Sequence, residues 1–449
     1  MIEPAEPQLA RSAVTEREAF GVWTQIAAQS FGGPAGQIAV MHRILVEEKR
    51  WFSEDEFLHA LNFCMLLPGP EAQQLVTYAG WRLHGIRGGL TAGLMFIAPG
   101  AISLLILSAL YVAYHDVTWI AAIFFGVKAA VLAVVLEAVI RIGRRALKSP
   151  LLVGFAVISF LAMHVFQIPF PWIVVVAALS GLILGRLLPS QFPAAKTTVA
   201  VDPESSTPRQ FGRTMLTVAV WLLIWFTPIG LVWAVFGSDS LLVKQGLFFS
   251  QTAVITFGGA YAVLAYLAQE AVQTYGWVTP GEMQDGLGLA ETTPGPLIMV
   301  VQFVAFVGAF RHADGMNPWL AALLGSAITT WVTFAPSFLW IFTFAPYLES
   351  LRRIQGLNHT LSGITAAVVG AILNLSVWFT LHTLFGTVAE WHPSVWPAAR
   401  IWQPDWSTLD IRALIIAVVS MLALFRFHLG MLPTLAAAAV LGLVLRGWL

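Results

Sequence analysis

Charge is what this sequence has least of. Of its 449 residues only 11% are Asp, Glu, Lys or Arg, while 58% are hydrophobic. A soluble domain carries about 25% charged and about 45–50% apolar residues, so this chain could not cover a water-facing surface. The shortage excludes a water-soluble globular enzyme and a nucleic-acid binder of the basic-patch type. Cysteine is nearly absent as well. The single Cys64 excludes a disulfide framework, a thiolate zinc site and a dithiol redox pair. Residues 1–18 hold Glu3, Glu6, Glu16 and Glu18 against Arg11 and Arg17. They lack the apolar run of a secretory signal, and no lipidation motif is present. The first apolar element, from Phe20, is therefore expected to stay in the membrane. The balance of 24 basic against 24 acidic residues says little by itself.

What the chain has in abundance is long apolar runs. A span needs about 20 apolar residues to cross about 30 Å of hydrocarbon. Uninterrupted candidates are 88–114, 118–140, 150–167, 171–188, 214–236, 317–346, 358–387, 411–427 and 430–448. Four more apolar elements are broken near their centres by Gly and Pro. These are 20–46 at Phe31-Gly-Gly-Pro-Ala-Gly36, 55–82 at Leu67-Pro-Gly-Pro70, 247–272 at Phe257-Gly-Gly259 and 282–310 at Pro294-Gly-Pro296. Residues 189–213 are rich in Pro, Ser, Thr and charge and read as a linker. Loop 388–410, with Trp391, Trp396, Trp402 and Trp406, reads as a segment in the aromatic interface belt.

The broken elements recur at a fixed offset. Gln25 pairs with Gln251, Phe31-Gly-Gly33 with Phe257-Gly-Gly259, Trp51 with Trp277, Ser53 with Thr279, and Pro68-Gly-Pro70 with Pro294-Gly-Pro296, every pair at the same spacing. Beyond that block the offset drifts, with Gly85 matching Gly315, Ala98-Pro99 matching Ala335-Pro336 and Pro171 matching Pro433. A gap-free register that includes Trp and Gln points to an internal duplication. The expected organisation is an N-terminal segment 1–18, repeat 1 over 19–188, linker 189–213, an extra span 214–236 and repeat 2 over 241–449. Each repeat makes an even number of crossings, whether its broken elements cross or are re-entrant hairpins. The lone span between them then turns repeat 2 upside down. The expectation is an all-α integral membrane protein of two inverted repeats, the pattern of secondary transporters with the site at the repeat interface.

Basic residues orient it. Arg141, Arg144, Arg145 and Lys148, then Arg186, Lys196, Arg209 and Arg213, then Arg352 and Arg353 fall on one side under either count. By the positive-inside rule that side is cytoplasmic, which places the N-terminus inside and the C-terminus outside a bacterial inner membrane. His42, Arg43, Lys49 and Arg50 join that side only if element 20–46 is a hairpin, so charge favours hairpins.

A break inside lipid leaves main-chain groups unpaired unless protein, ion or water satisfies them. Each break also starts a half-helix, and Pro suits a first turn because its missing N–H would be unpaired there anyway. Pro34 is expected to open one over 35–44, and Pro70 another over 71–81. Exposed N–H groups carry roughly half a positive charge per helix end, so four such ends together suit an anion. The candidate binding residues are Phe31, Gly32, Gly33, Pro34, Pro68, Gly69, Pro70, Phe257, Gly258, Gly259, Pro294, Gly295 and Pro296. The amides of Gln37, Gln73 and Gln74 could donate to an oxyanion without adding charge. Otherwise such amides tie helices together. Lys128 is an intramembrane cation for the substrate, or snorkels to the interface. Glu71 follows Pro70, and Glu291 lies three residues before Pro294. Ionised groups in hydrocarbon are costly and mark function. A dianion beside two ionised carboxylates is repelled, so these two are candidate proton-coupling groups.

At this point the motifs resemble a known family. Ser30-Phe-Gly-Gly-Pro-Ala-Gly-Gln-Ile-Ala39, Leu66-Leu-Pro-Gly-Pro-Glu-Ala-Gln-Gln74, Tyr78-Ala-Gly-Trp81, His84-Gly85, Gly88-Gly-Leu90 and Pro99-Gly100 resemble the chromate ion transporter (CHR) family. The two-repeat arrangement resembles its long-chain members. The resemblance implies chromate export from the cytoplasm, driven by protons or the membrane potential. Repeat 2 departs from it, with Leu297-Ile-Met-Val300 where repeat 1 has Glu-Ala-Gln-Gln. The partners expected are a small inorganic oxyanion (chromate or sulfate) and the lipid bilayer. No nucleic acid, cofactor or metal is expected, and nothing in the sequence excludes a homodimer. Competing readings are a sulfate or other oxyanion transporter of the same fold, a channel, and a membrane oxidoreductase that reduces chromate. The last lacks any flavin, haem or iron–sulfur signature.

Overall fold

The computed structural model describes residues 14–193, 208–257, 260–347, 355–394 and 399–446. It is almost entirely helical. Helix α1 (Glu16–Gln29) starts where the Thr15 hydroxyl accepts from the Glu18 amide at 3.2 Å. It ends at the first Gly/Pro break. There Gly32 and Gly33 take φ of +83° and +69°, values that only glycine adopts without strain. Helix α2 (Gly33–His42) follows with Pro34 in its first turn and runs on as π-helical turns over Arg43–Glu48. Lys49 then reaches back to Glu18 at 3.4 Å, so the element returns to the end from which it started.

The second broken element does the same. Ser53 and Glu56 form a capping box at the start of α3 (Glu54–Cys64), and His42 joins that start at 2.6 Å from Glu54. After the break at Pro68-Gly-Pro70, α4 (Glu71–Tyr114) bends at His84 and Gly85. His84 donates to the Val14 carbonyl at 2.7 Å, which sets the bend beside the start of α1. Past the bend α4 folds back on itself so closely that a Cβ on Gly80 or Gly88 would overlap the other's carbonyl. The expected boundary between 82 and 88 falls on this bend.

Helices α5 (Thr118–Ala146), α6 (Pro150–His164) and α7 (Phe170–Leu187) complete the first half, and α8 (Pro208–Phe236) follows. The second half repeats the order. It has α9 (Leu241–Ile255), α10 (Ala260–Leu267) continued by π-helical Ala268–Thr274, and α11 (Pro280–Thr292). A short turn Leu297–Met299 leads into α12 (Val300–Arg311), then α13 (Pro318–Phe344), α14 (Gln355–Leu384), α15 (Ile411–Met421) and α16 (Met431–Arg446). Local detail recurs at the offset read from the sequence. Thr279 and Glu282, in register with Ser53 and Glu56, form a second capping box. The π-helical turns close with Lys49 N to Ile44 O at 2.9 Å and Tyr275 N to Glu270 O at 2.8 Å. The Asp314 carboxylate accepts from the Leu241 amide at 2.8 Å, setting the end of α12 beside the start of α9. All four broken elements are hairpins.

Six helices among the described residues are long and apolar enough to cross a membrane. Their outward faces carry Leu94, Ile102, Val176, Ile183, Leu223 and Val235, an apolar belt suited to lipid. The chain is a multi-pass membrane protein. The halves interlock through small residues, as expected where lipid supplies no hydrophobic drive. Gly126 of α5 lies against Ala438 and Gly442 of α16, and Gly181 of α7 against Gly363 of α14. The interface loop departs from the all-helical expectation. Strands β1 (Val388–Trp391) and β2 (Ile401–Pro404) form a short antiparallel hairpin there. Arg400 fastens it to the end of α6 by donating to the carbonyl of Val165 and the side chain of Gln167, both at 2.8 Å. Trp391 and Trp406 are exposed as a belt requires; Trp396 lies outside the described residues.

Candidate functional site

The four hairpin tips meet, and they meet reciprocally. Ser30 and Thr256 close the first arms, each returning its hydroxyl to the carbonyl four residues earlier, at 2.6 and 2.7 Å. That leaves their own carbonyls free. The Gly69 amide donates to the Thr256 carbonyl at 2.8 Å, and the Gly295 amide to the Ser30 carbonyl at 2.9 Å. Both glycines need their freedom, with φ of +120° and +99°. Two crossing helices press on the tips from outside. A Cβ on Gly100 of α4 would stand 2.7 Å from the Pro294 carbonyl, and one on Gly69 would stand 2.9 Å from the Ser337 hydroxyl of α13. Each contact lies one residue after a proline inside its helix, Pro99 or Pro336.

The arms differ in how they start. All four first arms are capped by a side chain: Thr15, Ser53, Ser240 and Thr279. The second arms α2, α4 and the turn into α12 begin at the breaks without one, preceded by Gly32, Pro70 and Pro296. Uncapped first-turn N–H groups and the positive ends of helix dipoles thus converge where, among the described residues, no cationic cluster stands. Such an arrangement can hold an anion without a fixed opposite charge.

Most of the sequence candidates fall at these tips. Gln37 is buried and donates to the Gly295 carbonyl at 2.5 Å; Gln74 donates to the Pro68 carbonyl at 2.6 Å. Gln73 turns instead to Thr77 at 3.1 Å, within its own helix. The Oε1 atoms of all three are buried without a hydrogen-bond partner. Phe31, Gly32, Pro34, Pro68, Phe257 and Pro294 are half-buried, and Gly33, Pro70 and Pro296 buried. Gly258 and Gly259 lie outside the described residues. Glu71 opens α4 half-buried. Glu291 is buried at the end of α11, accepts from the Tyr261 hydroxyl at 2.6 Å, and keeps its Oε2 without a partner. That oxygen is 4.0 Å from where a Cβ on Gly33 would stand, so the carboxylate of one half faces the first break of the other.

Lys128 is the departure. Its ammonium lies 3.1 Å from Asp285 on α11, nine residues before Pro294, roughly 14 Å of helix rise. It is neither at the breaks nor snorkelling, because a buried acid on the neighbouring half holds it along α11.

Other residues enter unforeseen. Arg141, read from sequence as an orientation signal, pairs with Glu137 one turn earlier on α5 at 3.3 Å. Arg311 forks onto Glu282 of the second capping box. Tyr111 donates to Asp285 at 2.9 Å. The signal for two of these was present: Glu282 and Asp285 are, with Glu291, the acids of a largely apolar element. Buried amides elsewhere serve as ties between helices. Gln245 reaches Ala305, Gln284 reaches Phe379 and Gln302 reaches Ala101, at 3.0–3.1 Å.

Comparison with known proteins agrees with this arrangement. The family described as Chromate transporter matches residues 17–182 and 243–443, two segments that each hold one pair of hairpins. A chromate transport protein of Pseudomonas aeruginosa is 32% identical over 384 residues, 82% of this chain and 84% of that protein. One of Cupriavidus metallidurans is 24% identical over 434 residues, 96% of this chain and 93% of its own. A probable chromate transport protein of Synechococcus elongatus is 27% identical over 349 residues, 78% and 80% respectively. No solved structure matches the chain. Both the long motifs at the hairpin tips and these chain-length matches lead to one assignment: the chain belongs to the chromate transporter family.

Proposed function

We propose that this chain is a secondary active transporter that carries chromate across the bacterial inner membrane, out of the cytoplasm. The oxyanion is bound at the four hairpin tips by uncapped helix starts and by the amides of Gln37, Gln73 and Gln74. Glu71 and Glu291 couple that movement to protons. The observation that carries this reading is the reciprocal pair of main-chain bonds, Gly69 to Thr256 and Gly295 to Ser30. It brings matching breaks of two halves into one place, where inverted-repeat transporters keep their substrate. The two halves are taken as inverted repeats joined by α8, with nine crossings. With the broken elements taken as hairpins, His42, Arg43, Lys49 and Arg50 share a side with Arg141 to Lys148, and the positive-inside rule supports reading that side as cytoplasmic. Relatives named as transport proteins support transport rather than catalysis.

Chromate accumulation by everted membrane vesicles tests this, with sulfate as competitor and an uncoupler as control. Energised vesicles containing the protein should accumulate chromate above empty ones and lose it on uncoupling. Accumulation of sulfate alone would make sulfate the substrate. Passive, non-saturating uptake would make the protein a channel, and loss of chromate without vesicles would make it a reductase.

A further inference from the structure

We propose that Lys128, Asp285 and Tyr111 form a second oxyanion station, outward of the hairpin tips, where a leaving anion takes Lys128 from Asp285 as Asp285 takes up a proton. This rests on the reading of the chain as an oxyanion transporter and adds to it a separate site.

The pair is asymmetric in the way such an exchange needs. The Lys128 side chain is 27% exposed and that of Asp285 4%, so the cation is the reachable member. One carboxylate oxygen, Oδ2, receives both Lys128 at 3.1 Å and the Tyr111 hydroxyl at 2.9 Å. The other, Oδ1, is buried without a partner. An incompletely paired buried charge is costly, and Oδ1 is the open position of this carboxylate. A proton on Oδ1 would neutralise Asp285, leave its bond to Tyr111 in place and release Lys128. The ammonium offers three donors, and Gly281 leaves room beside it, since a Cβ there would stand 3.0 Å from Nζ.

The surroundings fix the acceptor rather than the cation. Tyr111 is held by ring contacts with Phe124 and Phe303 at 5.0 and 5.1 Å, and His115 stacks on it at 5.4 Å. The charged neighbours of Asp285 are Lys128 from α5 and, one turn earlier on its own helix, Glu282, which Arg311 of α12 holds. Lys128 belongs to the first half and Asp285 to the second, so relative movement of the halves makes or breaks the pair. The first-half position in register with Asp285 is His59. That position therefore supplies no carboxylate, and the station of Lys128, Asp285 and Tyr111 has no like-for-like counterpart there.

Equilibrium binding of chromate to the purified full-length protein tests this, in wild type, Asp285→Asn and the double variant Lys128→Met/Asp285→Asn. Wild type should bind more tightly as pH falls. Asp285→Asn should bind about 5–150-fold more tightly at alkaline pH, the usual span of a coupling between sites. Its slope of log Kd against pH should fall by about one proton. The double variant leaves no unpaired buried charge, and should fold, keep the shallower slope and lose the gain in affinity. Wild-type affinity and slope in either variant would overturn the station while leaving chromate transport intact. Wild type that binds no chromate would overturn both.

Discussion

The amide of Gly69 donates to the carbonyl of Thr256 at 2.8 Å, across the boundary between the two halves. The same bond recurs at the counterpart positions, with the partners exchanged between halves: Gly295 donates to Ser30 at 2.9 Å. If residue i of one half meets j of the other, the counterpart of j meets the counterpart of i, as at a two-fold interface. Each break thus satisfies a main-chain group that the other exposes. The Gly/Pro interruptions are tolerable in a membrane because they come as a crossed pair.

Gly100 tests the pressure on that pair. It is helical and suffers no backbone strain, yet a Cβ on it would stand 2.7 Å from the Pro294 carbonyl. Gly100→Ala should cost about 1–3 kcal/mol as overpacking does and reduce chromate transport at least tenfold. Ser337→Ala, which removes a buried hydroxyl without a partner, should leave stability near wild type. Thermal unfolding in detergent and initial uptake rates check both.

Glu291→Gln keeps an acceptor for Tyr261 and removes the charge facing Gly33. Transport should fall at least tenfold and lose its response to a pH gradient, with folding little changed. Tyr261→Phe instead leaves a buried carboxylate oxygen unsatisfied, at a cost of about 1–3 kcal/mol. Proteoliposomes with an imposed pH gradient separate the two effects.

Arg311→Met should act on stability. The guanidinium holds Glu282, whose carboxylate also accepts from the Thr279 amide and hydroxyl at 2.8 and 3.0 Å. Losing a charge-assisted bond of this kind costs about 1.5–3 kcal/mol. Thermal unfolding should show that loss, whereas Arg412→Met on the exposed start of α15 should be neutral.

The hairpin tips were legible because glycine and proline declare themselves. Phe31-Gly-Gly-Pro and Pro68-Gly-Pro70 name the breaks, and a gap-free offset pairs them with their counterparts. Whether element 20–46 crossed or returned was not legible, because composition is the same either way. The contact of Lys49 with Glu18 decides it, and that depends on tertiary packing. Lys128 stands apart from the tips, held by Asp285. Its position in an apolar run marked it as functional, while its partner Asp285 stands far along the chain, on a helix of the other half, with no periodicity to connect them.

The returning hairpin predicts which face sees residue 49. A cysteine at Lys49, in a Cys64→Ala background, should react with an impermeant thiol reagent in everted vesicles and not in intact cells. Cys64 itself is fully buried, so it reacts poorly with such a reagent, and its replacement only removes residual background. Labelling from outside the cell would mean that element 20–46 crosses.

The account turns on chromate passing the crossed tips, and the initial rate of chromate uptake by purified protein in liposomes tests it most directly. Three proteins are needed: wild type, Gly69→Ala/Gly295→Ala, and Gly315→Ala. Gly315 also has positive φ, +80°, but has nothing within 4 Å of its would-be Cβ. All three substitutions impose similar backbone strain, of about 1–3 kcal/mol per site, and only the paired one places it at the tips. Wild type and Gly315→Ala should transport chromate, and the double variant should be inactive though folded. A wild type that carries no chromate, or a double variant that carries it at the wild-type rate, would contradict the account.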